Sequence, residues 1–134
     1  MARIDEIAKK LVSGGRGILA ADESNRTANK RFKAVGVDIT EENRRKWRQV
    51  LLTTPKLNQY LDGVILYDET FWQSADNGKP FRDLLKEQGI SPGIKVDEGL
   101  VDMPYFPGEQ ITRGLDNLPE RLEKYAQFGA EFTK

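Results

Sequence analysis

Ile4, Ile7, Ala8, Leu11 and Val12 recur at the spacing of one helical face, and Gly14 and Gly15 end the pattern. After Arg16, the six residues Gly17-Ile-Leu-Ala-Ala-Asp22 form a short apolar run closed by an acid, which predicts a buried strand. A second helical stretch over residues 28–35 closes at Gly36. Thr40 predicts the N-cap of a third helix, with Glu41 and Glu42 at the positive end of its dipole and Trp47, Val50 and Leu51 as its buried stripe. Residues 63–67 are apolar on both alternating faces, as a strand buried in a parallel sheet requires. Pro80 suits the first turn of a helix that turns Phe81, Leu84 and Leu85 to one side and stops at Gly89. Residues 93–97 predict another strand, and residues 99–114 a loop. Pro119 opens a helix with Leu122, Tyr125 and Ala126 inward and Gly129 as its stop; residues 130–134 begin something extended.

The order is one helix, then strand and helix alternating three times, then the opening of a fourth strand. That rhythm builds right-handed parallel β/α units. Doubly wound sheets and eight-stranded barrels share it, and three strands with part of a fourth are less than half of such a barrel. The expected fold class is α/β, and 134 residues make a single domain.

Charge and composition narrow the chemistry. Lys and Arg number 21, as do Asp and Glu, so no global charge points to nucleic acid or an anionic membrane. No apolar run reaches the roughly 18 residues that span a bilayer, and the first residues lack the apolar core of a signal peptide, so the expected location is cytoplasmic. The chain has neither cysteine nor histidine. That removes a thiol nucleophile, a Ser–His pair and imidazole or thiolate metal sites. Acid–base work falls to Asp, Glu, Lys or Tyr, with Arg available to clamp anions.

Asp22 stands where the first strand runs out, the ligand side of a parallel sheet. With a period of two it shares a face with Ile18 and Ala20. Position alone leaves two readings open: a functional acid, or, for Asp22 or Ser24, the cap of the next helix. Lys95 and Asp97 alternate with Ile94 and Val96 in the same way. They read either as groups facing the mouth of a barrel or as an internal ion pair. Thr27, Lys30 and Arg31, near a helix start, suit a phosphate but equally a solvated face, and Arg44 with Arg45 forms a second basic pair of the same ambiguity. Lys9, Lys10, Glu120, Arg121 and Lys124 read as solvent faces.

Five segments together resemble class I fructose-bisphosphate aldolases: Gly15-Arg-Gly-Ile-Leu-Ala-Ala-Asp-Glu-Ser24, Thr40-Glu-Glu-Asn-Arg-Arg45, Gly63-Val-Ile-Leu-Tyr-Asp-Glu-Thr70, Gly93-Ile-Lys-Val-Asp97 and Thr112-Arg-Gly-Leu-Asp116. Their order and spacing fit throughout, over nearly the whole chain. The resemblance implies the first three β/α units and part of a fourth of a TIM (β/α)8 barrel, incomplete as given. It also implies a homotetramer that cleaves fructose 1,6-bisphosphate in glycolysis through a lysine Schiff base, with no cofactor and no metal; the metal-dependent class of aldolase would need imidazoles. By the same resemblance Asp22 assists carbon–carbon cleavage, Thr27 stands for a phosphate-contacting serine, and Arg31 binds the phosphates. Arg44 matches a substrate-contacting position, Lys95 an active-site lysine, and Lys134 the lysine that opens a Lys-x-Arg pair on the fourth strand. Asn25-Arg-Thr27 departs from the small residues and serine of many relatives, with Arg26 adding charge and bulk. Family members continue well past this length, and that remainder carries the imine-forming lysine, a proton-transferring glutamate and the loop for the other phosphate. The isolated chain is therefore expected to have open sheet edges and weak autonomous stability. A truncated, non-catalytic remnant that keeps at most sugar-phosphate binding is the alternative.

Overall fold

The computed structural model describes residues 4–134. Its helices are α1 (Ile4–Ser13), α2 (Asn25–Ala34), α3 (Glu41–Leu52), α4 (Asp68–Trp72), α5 (Phe81–Glu87) and α6 (Leu118–Gln127). Its strands are β1 (Gly17–Ala21), β2 (Leu61–Leu66), β3 (Ser91–Ile94), β4 (Leu100–Asp102), β5 (Gln110–Thr112) and β6 (Phe132–Thr133). One parallel sheet runs in the order β1-β2-β3-β6, and β4 with β5 forms a separate antiparallel pair.

Register explains how the sheet separates a packed face from an open one. Ala21, Leu66, Ile94 and Thr133 form one row across the sheet. Ala21, Leu66 and Ile94 of that row are buried under Leu52, Phe71, Phe81, Leu85 and Tyr125 from the helices. The neighbouring row is Ala20, Ile65, Gly93 and Phe132. There Ala20 is exposed, and Ile18 on the same face of β1 is 42% exposed. The buried strand expected over residues 17–22 is therefore buried on its helix side alone. The Phe132 ring lies across Gly93 and Gly63, filling space that a Cβ at either position would occupy, and Leu11 of α1 reaches the same spot at Gly63. Strands β1 and β6 are the two edges of the sheet, each paired on one side only among the described residues, the arrangement an unclosed β/α array must have.

Local chemistry starts and stops these elements. Ser24 caps α2 by accepting the Thr27 N–H at 3.3 Å, and Thr40 caps α3 by accepting the Asn43 N–H at 3.0 Å. Pro119 lies in the first turn of α6, and Gly129 at φ +100° ends it as the periodicity predicts.

Four expectations need correction. The face of α3 turned inward is Arg48 and Leu52; Val50 is 70% exposed, and Trp47 and Leu51 are half-buried. Arg48 can occupy the interior because its guanidinium is fully engaged, which apolar periodicity does not register. Ala126 points outward, leaving Tyr125 as the buried residue of α6. Residues 99–114 hold the β4–β5 ribbon, and Asp68–Trp72 form a helical turn that was not foreseen. Strand β3 begins at Ser91 and ends at Ile94, so Lys95 and Asp97 stand just past it. The ladder nevertheless continues, with Lys95 N–H donating to Leu66 O at 3.0 Å and Val96 N–H to Lys134 O at 3.1 Å. Among the described residues no helix is long and apolar enough to cross a membrane.

Candidate active site

Parallel strands put all their carboxyl ends on one side, and here those ends supply the chemistry. Asp22 follows β1, Tyr67 and Asp68 follow β2, Lys95 and Asp97 follow β3, and Lys134 follows β6. All six line one cleft of about 1220 Å³. Asp22 is 6% exposed, and Lys134 Nζ donates to its Oδ2 at 2.8 Å across 112 positions of sequence. That hydrogen bond, with the attraction of the carboxylate, holds the Lys134 ammonium above its ordinary range. On the next strand end, Lys95 Nζ lies 2.5 Å from Asp97 Oδ1 and also donates to the Asp97 carbonyl at 3.1 Å. The Lys95 hydrogen bond is the main reason that the Asp97 carboxyl sits below the usual range. Lys95 and Asp97 thus satisfy both sequence readings, since they are an ion pair and they line the mouth.

The start of α2 forms one wall. Ser24 and Thr27 share a hydrogen bond between hydroxyls at 3.2 Å, and both line the cleft with Arg26 and Lys30. Arg26 and Lys30 have no carboxylate partner among the described residues, so this wall is net positive. Arg31 and Arg44 are not brought to the cleft. Arg31 pairs with Glu23 on its outer side. Arg44 is held by Glu69 through two hydrogen bonds of 2.7 Å and by Asn29 at 3.1 Å.

The opposite wall comes from α6 and the β4–β5 ribbon. Tyr125 donates to Asp68 Oδ1 at 2.7 Å, and burial together with that carboxylate pushes its phenol up to about 12. Arg121, expected to be solvated, lines the cleft and donates to Val96 O at 2.8 Å and Gly114 O at 3.2 Å. It ties the segment carrying Lys95 and Asp97 to the base of the ribbon. Gly114 (φ +126°) makes that contact possible, because a Cβ there would meet Val96 O at 2.8 Å. Leu100 and Gln110 complete this side. Sequence reading missed Glu23, Arg48, Tyr125 and Arg121, whose partners are set by the tertiary fold rather than by a local pattern. Among the described residues no group of three or more metal-ligating side chains is gathered. The cleft instead combines one buried carboxylate, two paired ammonium groups and a positive hydroxyl-bearing wall, which suits a polyhydroxylated anion.

Comparison with known proteins agrees with this geometry. The family described as glycolytic, fructose-bisphosphate aldolase class-I, matches residues 3–134. The chain is 54% identical over 129 residues to fructose-bisphosphate aldolase 1 of Caenorhabditis elegans, covering 96% of the chain and 35% of that protein. It is 50% identical over 132 residues to a probable fructose-bisphosphate aldolase class 1 of Xanthomonas campestris, covering 98% of the chain and 40% of that protein. A solved fructose-bisphosphate aldolase from Plasmodium falciparum, in complex with TRAP and a small-molecule inhibitor, superposes with a TM-score of 0.91 at 45% identity. That match covers 96% of this chain and 37% of the solved one. The chain spans no more than about 40% of the length of these relatives. With the family match running over nearly its whole length and the parallel β/α units superposing on a solved aldolase, the chain belongs to the class I fructose-bisphosphate aldolase family.

Proposed function

We propose that this chain supplies the Asp22 side of a Schiff-base aldolase site that reversibly cleaves fructose 1,6-bisphosphate to dihydroxyacetone phosphate and glyceraldehyde 3-phosphate. In this reading residues 1–134 are one domain, the first part of a (β/α)8 barrel, and the imine-forming lysine lies outside them. The observation that supports it is the meeting of Asp22, Lys95 and Lys134 in one cleft.

The chemistry follows from charge. The amine adds to the ketone carbonyl, water leaves, and the resulting iminium can accept an electron pair. The Asp22 carboxylate takes the proton of the 4-hydroxyl; the bond between carbons 3 and 4 breaks, its electrons pass to the iminium, and the aldehyde departs. The enamine is then protonated at carbon 3 and hydrolysed to release the ketone. The attacking amine must be neutral, whereas an unperturbed lysine titrates near 10.4. The Lys95 and Lys134 ammonium groups beside it lower that value by like-charge repulsion. Thr27 with Lys95 receives a phosphate, and Arg31, the exposed member of its pair, joins once it leaves Glu23. Arg44, which Glu69 holds outside the cleft, contacts the substrate in this reading only on leaving that partner. The reading needs no metal or cofactor and carries a cytoplasmic homotetramer with it.

The alternative is a chain that binds sugar phosphates without turnover. It is favoured by one observation: the two lysines at the strand ends are ion-paired, Lys95 with Asp97 and Lys134 with Asp22, so neither of these is a free amine nucleophile. A chimera separates the two readings. In it this chain replaces the matching segment of the Caenorhabditis elegans relative, and borohydride trapping is run with dihydroxyacetone phosphate. The proposal expects a covalent adduct, cleavage of fructose 1,6-bisphosphate, and slower imine formation in Lys134→Met. A folded chimera that binds the ketone phosphate but traps nothing supports the binding-only reading and overturns the lyase.

A further inference from the structure

Arg48 is an arginine in the interior, 2% exposed, on the inward face of α3. Burial of a guanidinium is costly unless every donor finds a partner. Its Nη1 donates to Glu23 Oε2 at 2.6 Å, its Nη2 to the Glu23 carbonyl at 3.0 Å, and its Nε to Thr70 Oγ1 at 3.3 Å. The plane of the group lies over the Trp47 ring at 4.2 Å. Two of these bonds go to one residue, through side chain and main chain at once. That residue directly follows Asp22. Glu23 and Ser24 lead from the end of β1 into α2, where no strand ladder fixes the backbone.

We propose that Arg48 is a positioning residue of the cleft: by clamping Glu23 at both its carboxylate and its carbonyl, it sets the direction in which the Asp22 carboxylate meets Lys134. Arg48 itself does not line the cleft, so it acts through Glu23 rather than on a ligand. Burial pushes the Glu23 carboxyl up, but the Arg48 hydrogen bond, a backbone N–H, the Arg48 charge and Arg31 together outweigh this and keep it below its ordinary value. Glu23 is thus held as an anion. Lysine could not replace Arg48 faithfully, because a single ammonium cannot address a carboxylate oxygen and a carbonyl in fixed fork geometry. The consequence for catalysis rests on the aldolase reading above; the positioning itself does not.

The test uses the 134-residue chain with 13Cε-labelled lysine and follows the Lys134 titration by NMR. The groups facing Lys134 are Asp22, Asp97 and Glu23, with Lys95 on the next strand end. Asp22→Asn in the parent chain should lower the Lys134 pKa, which measures the coupling. In Arg48→Met, folded at low temperature, Asp22→Asn should produce no further lowering; in Arg48→Lys it should produce about half the parental effect. Should Arg48→Met not fold, Arg48→Lys decides alone. Full parental coupling in either folded variant overturns the proposal and leaves Arg48 as a purely structural ion pair. No product formation is read, so failure here is separable from failure of the lyase assignment.

Discussion

Replacing Asp22 by Asn in the chimera with the Caenorhabditis elegans relative should lower the turnover of fructose 1,6-bisphosphate by about a hundred- to ten-thousand-fold, with KM changed little. Asn keeps the size of the side chain and can still accept from Lys134, so the fold at the end of β1 should persist. What it loses is the capacity to take a proton. The 2.8 Å hydrogen bond from Lys134 Nζ holds the Asp22 carboxylate in one orientation from the far edge of the sheet. Imine formation should survive in the variant, because the ketone carbonyl is not the atom that Asp22 serves. A fall in turnover of less than about tenfold, measured by coupled assay with imine trapping alongside, would remove Asp22 from the proton transfer.

Phe71→Ala should cost the chain about 3–5 kcal/mol, enough to unfold most of a marginally stable domain. Phe71 is 0% exposed and lies in α4, the helical turn that follows β2. Its ring meets Trp72 edge-on with centroids 5.0 Å apart and Tyr125 at 5.4 Å, and Arg82 lies over it at 5.4 Å while donating to the Phe71 carbonyl at 2.8 Å. Truncation would leave a cavity bordered by three helices, α4, α5 and α6, that cannot all collapse into it. It should also loosen Tyr125 and hence the Asp68 side of the cleft. Urea unfolding followed by circular dichroism measures the loss; a change below about 1 kcal/mol would mean that the site relaxes around the missing ring.

The parts of the molecule that were legible in the sequence are those written in local pattern. Gly and Pro punctuation located α2, α5 and α6, and apolar runs located β1 and β2. The period of two at Asp22 and at Lys95 with Asp97 turned these residues to the ligand side of the sheet. What the pattern could not carry was partnership at a distance. Arg48 reads as a surface residue until Glu23, 25 positions away, is seen to satisfy it. Arg121 looks like one more charge on a polar helix face, yet two carbonyls from separate loops recruit it. The β4–β5 ribbon escaped notice because it leaves Leu100 and Ile111 exposed and so lacks the alternation of a half-buried strand. Arg31 and Arg44 show the same limit from the other side: their chemistry suits a phosphate, but Glu23 and Glu69 hold them outside the cleft.

The direct test of the central claim is to titrate the 13Cε-lysine-labelled chain with fructose 1,6-bisphosphate and compare every lysine. Lys95 and Lys134, 39 positions apart in sequence but on adjacent strand ends, should shift together with one saturating affinity, while Lys9, Lys33 and Lys56 stay still. Shifts scattered over the surface lysines, or a response of Lys95 without Lys134, would show that the two ammonium groups do not serve one sugar-phosphate site.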